Sequence, residues 1–239
     1  MRPDRRPPPV SGTELAVLAR ELKARAELLD DDDWSALPDA HPAPSPNAAL
    51  AALSAEVEAC RRCPLGSQRL KAVFGVGSPS ARVVFVGEGP GYEEDRRGEP
   101  FVGKAGQLLD KILAAVGLSR ETVYIANIVK CHPMTDPTQP DLRGNDRPPT
   151  PEEAAACRSY LEAQLDLIKP RAVVALGSSA AKTLLDTTDG VARLRGRWHD
   201  FRGTPLLPTY HPAALLRDEA LKRPVWDDMK ELKRFLEEG

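Results

Sequence analysis

The sequence predicts an α/β fold in which parallel strands alternate with helices. Four short apolar runs each end at a glycine or a polar residue, and a segment with helical periodicity follows each of them. Alternation of this kind favours parallel pairing through right-handed crossovers. The predicted strands are residues 83–86, 123–129, 172–176 and 205–210. The loops that follow them, carrying Glu88, Asn127, Gly177 and His211, should therefore share one edge of the sheet, where such folds bind ligands.

The 239 residues favour one domain behind an N-terminal extension. We expect the extension at residues 1–46, because a helix with a capping box at Ser11 and Glu14 is followed by an acidic, proline-rich linker. The globular domain is expected at residues 47–239, with Asn47 capping its first helix.

Charge and hydropathy exclude several classes of protein. The net charge is −2 and the pI is near 6.1, so any nucleic-acid binding needs a local basic surface. No apolar run is long enough to cross a membrane, and no secretory pattern is present. These features predict a cytoplasmic protein that does not bind membranes, and we expect a monomer.

The predicted elements follow in order along the domain. Residues 83–86 are apolar and mostly β-branched, which is typical of a strand buried on both faces. A helix at residues 106–116 should end at Gly117. The next helix should begin at Thr150, which forms a capping box with Glu153, and continue to residue 168. Ser178 is expected to cap the helix after the third strand, and a final apolar periodicity marks a closing helix near the C-terminus.

A glycine-rich loop follows the first strand and combines carboxylates with one aromatic residue. Glu88, Gly89 and Glu94 lie in its first half, and Phe101 lies between two further glycines. It is not a P-loop, since no Lys-Ser or Lys-Thr pair follows, and it lacks the dinucleotide pattern GxGxxG. From the residues alone, a ligand site and a solvated turn are both open.

The four cysteines are the second signal: Cys60, Cys63, Cys131 and Cys157. In a reducing compartment they favour a metal site over two disulfides. The spacing CxxC suits zinc or an iron–sulfur cluster, and thiolate ligands alone do not separate the two. Unligated buried cysteines are the remaining alternative.

Five motifs in a fixed order give the sequence a family resemblance. They are GEGPGYEED at 87–95, GEPFVGKAGQLLD at 98–110, NIVKC at 127–131, RPPTPEEAAAC at 147–157 and HPAALLR at 211–217. Together they resemble family 4 uracil-DNA glycosylases, the iron–sulfur class, from about Ala55 to the C-terminus. The resemblance implies a three-layer sandwich around a four-stranded parallel sheet. It also implies a four-iron four-sulfur cluster on the four cysteines. Residues 134–146 depart from the pattern, because they lengthen the interval between the last two of these cysteines.

The resemblance also implies how a base would be recognised. Phe101 would stack on an extruded uracil, and the Asn127 carboxamide would pair with its O4 and N3–H while rejecting cytosine. His211 would hydrogen-bond uracil O2. The backbone N–H groups around Glu88 and Gly89 would form an oxyanion-type site.

Further residues are implied for water activation and DNA contacts. Glu88 and Glu94 are the candidates for orienting the attacking water, since a related family carries an aspartate where this chain has Gly89. Leu215 would be the wedge that enters the gap left in the DNA base stack by the extruded base, and Leu216 would lie in the core. Phosphate contacts are expected from Arg217, Lys104 and the alternating arginines Arg193, Arg195 and Arg197.

The sequence thus predicts a monofunctional hydrolase that releases uracil from single- or double-stranded DNA and leaves an abasic site. Two alternatives are open. One is the related class that traps uracil-DNA covalently. The arginine- and histidine-rich loop that distinguishes this class is absent as a motif, but the insert beside His132 keeps the alternative open. The other is a non-catalytic iron–sulfur module that binds nucleic acid.

Overall fold

A computed structural model describes residues 45–238 of the chain. The expected N-terminal extension therefore lies outside the described residues, apart from its last two positions. The helices are α1 (Pro46–Ala59), α2 (Leu65–Gln68), α3 (Tyr92–Arg97), α4 (Lys104–Ala115), α5 (Pro151–Ile168), α6 (Ser178–Leu185), α7 (Val191–Leu194), α8 (Pro212–Leu215) and α9 (Lys222–Glu237), with a 3-10 turn at Glu219–Leu221. None of the helices among the described residues is long and apolar enough to span a membrane.

Six strands form a single mixed sheet. They are β1 (Val76–Gly77), β2 (Val83–Gly87), β3 (Tyr124–Asn127), β4 (Ala172–Leu176), β5 (His199–Phe201) and β6 (Thr204–Thr209), in the spatial order β1-β3-β2-β4-β6-β5. The four central strands are parallel, which confirms the predicted α/β class. The two edge strands are antiparallel and were not predicted, because two or three residues are too short to show a period of two.

The helices cover both faces of the sheet and produce the expected three layers. One apolar cluster packs α5 and α6 against one face, and a second packs α4 and α9 against the other. Strands β2 and β4 are buried along their whole length. This burial explains why their sequences are continuous apolar runs without alternation.

Local capping explains where the helices begin, and it corrects two predictions. The capping box of Thr150 and Glu153 is present at the start of α5. Ser45, not Asn47, caps α1, since its hydroxyl accepts from the Ala48 N–H at 3.3 Å. Ser178 is the first residue of α6 and does not cap it; its hydroxyl accepts from the Val191 N–H at 3.1 Å instead.

Candidate functional site

The carboxyl ends of the central strands meet at one edge of the sheet, as predicted. Gly87 and Asn127, the last residues of β2 and β3, are direct neighbours in the parallel register. β6 ends at Thr209, and His211 follows two residues later as the cap of α8. Residues from three distant parts of the sequence therefore lie at this edge.

The Phe101 ring and the Asn127 amide lie next to each other over Gly87. A Cβ at position 87 would lie 2.6 Å from Phe101 Cζ and 2.4 Å from Asn127 Oδ1, so only glycine fits there. Asn127 is 2% exposed, and its Oδ1 has no hydrogen-bond partner among the described residues. Since buried polar groups are almost always paired, this oxygen is a strong candidate for binding a donor on a ligand.

His211 lies beside the Phe101 ring and is neutral. The two ring centroids are 5.4 Å apart, with the planes tilted by 32°. The Ala213 N–H donates to His211 Nδ1 at 3.1 Å, so the ring proton is on Nε2. Burial, together with the charge of Arg217, lowers the pKa of His211 to about 4. At neutral pH the imidazole is therefore an uncharged donor through Nε2–H.

Glu94 fixes the loop that carries Phe101. Its Oε1 accepts from the N–H groups of Val102 at 2.9 Å and Gly103 at 3.0 Å. Its Oε2 accepts from the Gly91 N–H at 3.3 Å. Phe101 itself has a left-handed φ of 55°, which these bonds hold in place. Both carboxylate oxygens of Glu94 therefore accept from backbone groups of the loop that carries Phe101.

Glu88 and Gly89 follow β2 at the rim of the site and are both partly exposed. The Glu88 carbonyl accepts from the Val129 N–H at 3.3 Å, which ties the loop to the segment after β3. A Cβ at Gly89 would lie 2.8 Å from Val129 Cγ2. An aspartate at position 89 therefore cannot be accommodated unless Val129 moves.

Leu215, the predicted wedge, is buried, and Leu216, expected in the core, is exposed. Leu215 is 2% exposed and belongs to the core cluster on the α4 side of the sheet, whereas Leu216 is 52% exposed. The single turn of α8 directs Leu215 inward, and the next residue points about 100° away from it. Arg217 and Lys104 are exposed, as phosphate contacts require.

The alternating arginines do not form one basic surface. Arg195 donates to the buried Asp228, with Nη2 2.7 Å from Oδ1, and this carboxylate also accepts from the Thr209 hydroxyl at 2.6 Å. Arg193 pairs with Asp189 at 3.0 Å, and Arg197 is exposed. Arg195 is therefore a structural side chain, and the expectation that it contacts phosphate is wrong.

All four cysteines are free and line a single small cavity between α1, the segment after β3 and α5. Cys131 and Cys157 are buried, and burial raises the pKa of both thiols, that of Cys131 to about 11. Burial also opposes ionisation of Cys60, but hydrogen bonds from Tyr160 and Arg62 lower its pKa below the ordinary value.

Three cationic side chains, Arg62, Arg69 and Lys130, line this cavity, and none of them was predicted as a functional residue. Arg69 Nη1 donates to Cys131 Sγ at 2.8 Å. The Arg62 guanidinium lies 3.9 Å from the centroid of the Tyr160 ring. Lys130 also lines the cavity, and the residues described around it include no carboxylate. As the side chains stand, no group of three or more His, Cys, Asp or Glu residues within 45–238 could hold a metal ion.

The insert at residues 134–146 is anchored through His132. His132 Nε2 lies 2.7 Å from Asp146 Oδ1, and its Nδ1 lies 3.7 Å from buried Asp95. Burial opposes the charged ring, but the two carboxylates raise the pKa of His132 to about 9. Asp95 also accepts from the Leu70 N–H at 3.0 Å, so the network joins the insert, α3 and the segment after the first two cysteines. The ring of His132 is fully buried.

Comparison with known proteins gives a consistent result. The model of the uracil DNA glycosylase superfamily matches residues 74–230. The chain is 43% identical over 188 residues to the type-4 uracil-DNA glycosylase of Thermotoga maritima, covering 77% of this chain and 93% of that protein. It is 40% identical over 185 residues to the type-4 enzyme of Archaeoglobus fulgidus, covering 74% and 88%. It is 36% identical over 195 residues to that of Sulfurisphaera tokodaii, covering 78% and 84%.

Proposed function

The chain belongs to the uracil-DNA glycosylase superfamily, and we propose that it is a DNA-repair hydrolase that releases free uracil from DNA. Hydrolysis of the N-glycosidic bond of deoxyuridine leaves an abasic site. The observation that carries the proposal is the unpaired, buried Oδ1 of Asn127, which lies beside the Phe101 ring. We further propose that residues 47–239 form the catalytic domain and that it acts as a monomer.

The first step is recognition of the base outside the stack. A uracil inside a duplex is out of reach, so the nucleotide is extruded or is taken from a single strand. Phe101 supplies a face for stacking. The buried Asn127 Oδ1 accepts from uracil N3–H, and the amide NH₂ donates to O4. Cytosine presents the opposite pattern of donor and acceptor at these positions, and it is rejected because the buried amide would lose both bonds.

Bond cleavage then leaves negative charge on uracil, which has to be stabilised. Neutral His211 donates its Nε2–H to O2, and backbone N–H groups at Glu88 and Gly89 add further donors. The low pKa of His211 supports this role, because the ring carries no charge that would have to be desolvated when the base enters. Donors fixed before the reaction need no reorganisation as the charge develops.

Glu88 is the residue that orients the attacking water. Glu88 is partly exposed at the rim, next to the space where the sugar of an extruded nucleotide would lie. A carboxylate there can orient a water and favour the positive charge that develops on the sugar. Glu94 acts indirectly, through the position of Phe101.

The DNA itself is held by exposed residues around the rim. Lys104 and Arg217 contact phosphates of a single or double strand. Leu216 takes the wedge role that the sequence had suggested for Leu215, because it is the exposed leucine of the pair.

The four cysteines are proposed to hold a four-iron four-sulfur cluster. Four free thiols on one cavity match its ligand set. The charges of Arg69 and Lys130 act against burial, which raises the pKa of the Cys131 and Cys157 thiols. A cluster is larger than one ion, so its ligands stand further apart than those of a zinc site. When bound, it joins segments that are distant in the sequence, and the hydrolysis requires no redox step from it.

The covalent alternative has no support from the structure. Such an enzyme needs a nucleophile that reaches the sugar, and His132, the residue that had left this possibility open, is fully buried and bonded to Asp146.

The deciding experiment is release of uracil from a single-stranded oligonucleotide, followed by alkaline cleavage of the abasic site. Wild-type protein should yield the cleaved strand, and its failure to do so would end the proposal. Asn127→Ala should be at least about 100-fold slower because recognition loses both base contacts. Exposed Asn47→Ala is the matched control and should match wild type. Equal rates for Asn127→Ala and wild type would remove Asn127 from the site.

A further inference from the structure

Lys130 is a fully buried lysine between the cysteine cavity and the base-recognition residue. It directly precedes Cys131 and is 1% exposed. Its Nζ donates to the backbone carbonyl of Asn127 at 2.9 Å and to Gln164 Oε1 at 2.6 Å. Gln164 in turn donates to the Phe74 carbonyl at 2.9 Å. The ammonium group is therefore fixed by a buried network.

Both hydrogen-bond partners of Lys130 are uncharged. A buried ammonium without a counter-charge is costly, since burial in a protein interior removes its hydration. The described lining of the adjacent cavity contains four cysteines and no carboxylate. Cys131 and Cys157 line this cavity together with Lys130. Among the side chains that line this cavity, the cysteines, as thiolate ligands, are the source of negative charge available to Lys130.

We propose that Lys130 is the buried counter-cation of the four-thiolate site and the residue through which that site positions Asn127. The inference rests on the proposed function, because it takes the cysteines as ligands of the cluster. An iron–sulfur cluster held by four thiolates is negative overall, and one fixed positive charge beside it stabilises the loaded state. The same ammonium holds the Asn127 carbonyl, which links loading of the cysteines to the geometry of the recognition amide.

The test compares Lys130→Met with Lys130→Arg in the full-length protein, purified without air. Lys130→Met removes the charge and keeps the approximate volume, whereas Lys130→Arg keeps the charge. Lys111→Met, on the exposed face of α4, is the matched control. Three quantities are measured: iron loss to a chelator, the reduction potential of the cluster and kcat/KM for uracil release.

For Lys130→Met, iron loss should be about 10- to 100-fold faster, as is typical when a neighbour of a metal ligand is removed. Its reduction potential should shift to more negative values, since adding an electron to the cluster is harder without the positive charge. Lys130→Arg should lie near wild type in both. In the Asn127→Ala background, Lys130→Met should cause little further loss of kcat/KM, since both changes act through the same amide.

An unchanged potential and iron-loss rate in Lys130→Met would overturn the proposal, and so would equal shifts in Lys130→Arg. If Lys130→Met does not fold, Lys130→Gln carries the same prediction, because it is neutral and keeps a donor for the Asn127 carbonyl. Wild-type protein free of iron would overturn the inference and the cluster together. Uracil release by that same preparation would show separately whether the proposed activity stands.

Discussion

Glu94 offers the sharpest test of how the site is built. Its carboxylate accepts three backbone hydrogen bonds, from Gly91, Val102 and Gly103. Glu94→Ala removes all three bonds and releases the loop of Phe101. Glu94→Gln keeps one oxygen that can serve Val102 and Gly103, and it loses the bond to Gly91.

The expected magnitudes follow from these bonds. Each of these bonds is worth about 1 kcal/mol net at a half-buried position such as that of Glu94. Glu94→Gln should therefore cost about 1 kcal/mol, which is roughly 5-fold in kcat/KM. Glu94→Ala should cost about 3 kcal/mol, roughly 150-fold. Removal of a true general base would cost about 100- to 10,000-fold even for glutamine.

The assay is kcat/KM for uracil release from a single-stranded oligonucleotide, with urea unfolding of each variant. Glu93→Gln is the matched control, since its carboxylate makes a partly exposed ion pair with Arg143 at 2.8 Å. It should stay within about 2-fold of wild type. A loss of 100-fold or more in Glu94→Gln, with Glu94→Ala no worse, would refute the positioning role and place Glu94 in the chemistry.

Three further predictions concern other parts of the site. Because the pKa of His211 lies below its ordinary value, the unfolded chain takes up this proton at a higher pH than the folded protein, and stability falls as the pH drops from 6.5 towards 4. Between pH 7 and 4.5, His211→Gln should therefore lose less unfolding free energy than wild type. A loss equal to that of wild type would contradict this. Gly89→Asp should lower both stability and activity, and adding Val129→Ala should restore stability; urea unfolding of the two variants checks this, and a stable Gly89→Asp would contradict it. Leu215→Ala should cost about 2 to 5 kcal/mol of stability, whereas Leu216→Ala should cost little. Leu216→Ala should instead slow excision of uracil from duplex DNA more than from single strands. Equal slowing on both substrates would contradict the wedge role.

The sequence predicted those features that depend on neighbouring residues. The central strands are continuous apolar runs because both faces are covered, and α5 begins at a capping box, so both are visible in a short window. The edge strands β1 and β5 were missed because two or three residues carry no period.

Features that depend on distant partners could not be predicted. Glu94 binds N–H groups eight and nine residues further on, which no spacing rule anticipates. Lys130 looks like a surface residue in the sequence, and only the fold buries it beside Gln164. The two adjacent leucines of the wedge motif differ only in which side of one helical turn they occupy, and four residues are too few for periodicity to decide between them.

The unpaired oxygen of Asn127 should make position 127 prone to substitution when a protein is selected for stability alone. An acceptor held in the dry interior without a donor weakens the folded state by about 1 to 3 kcal/mol. A laboratory screen that rewards heat resistance alone should therefore replace position 127 with an apolar side chain early on. Persistence of asparagine in such a screen would mean that the amide already has a stabilising partner in the resting enzyme.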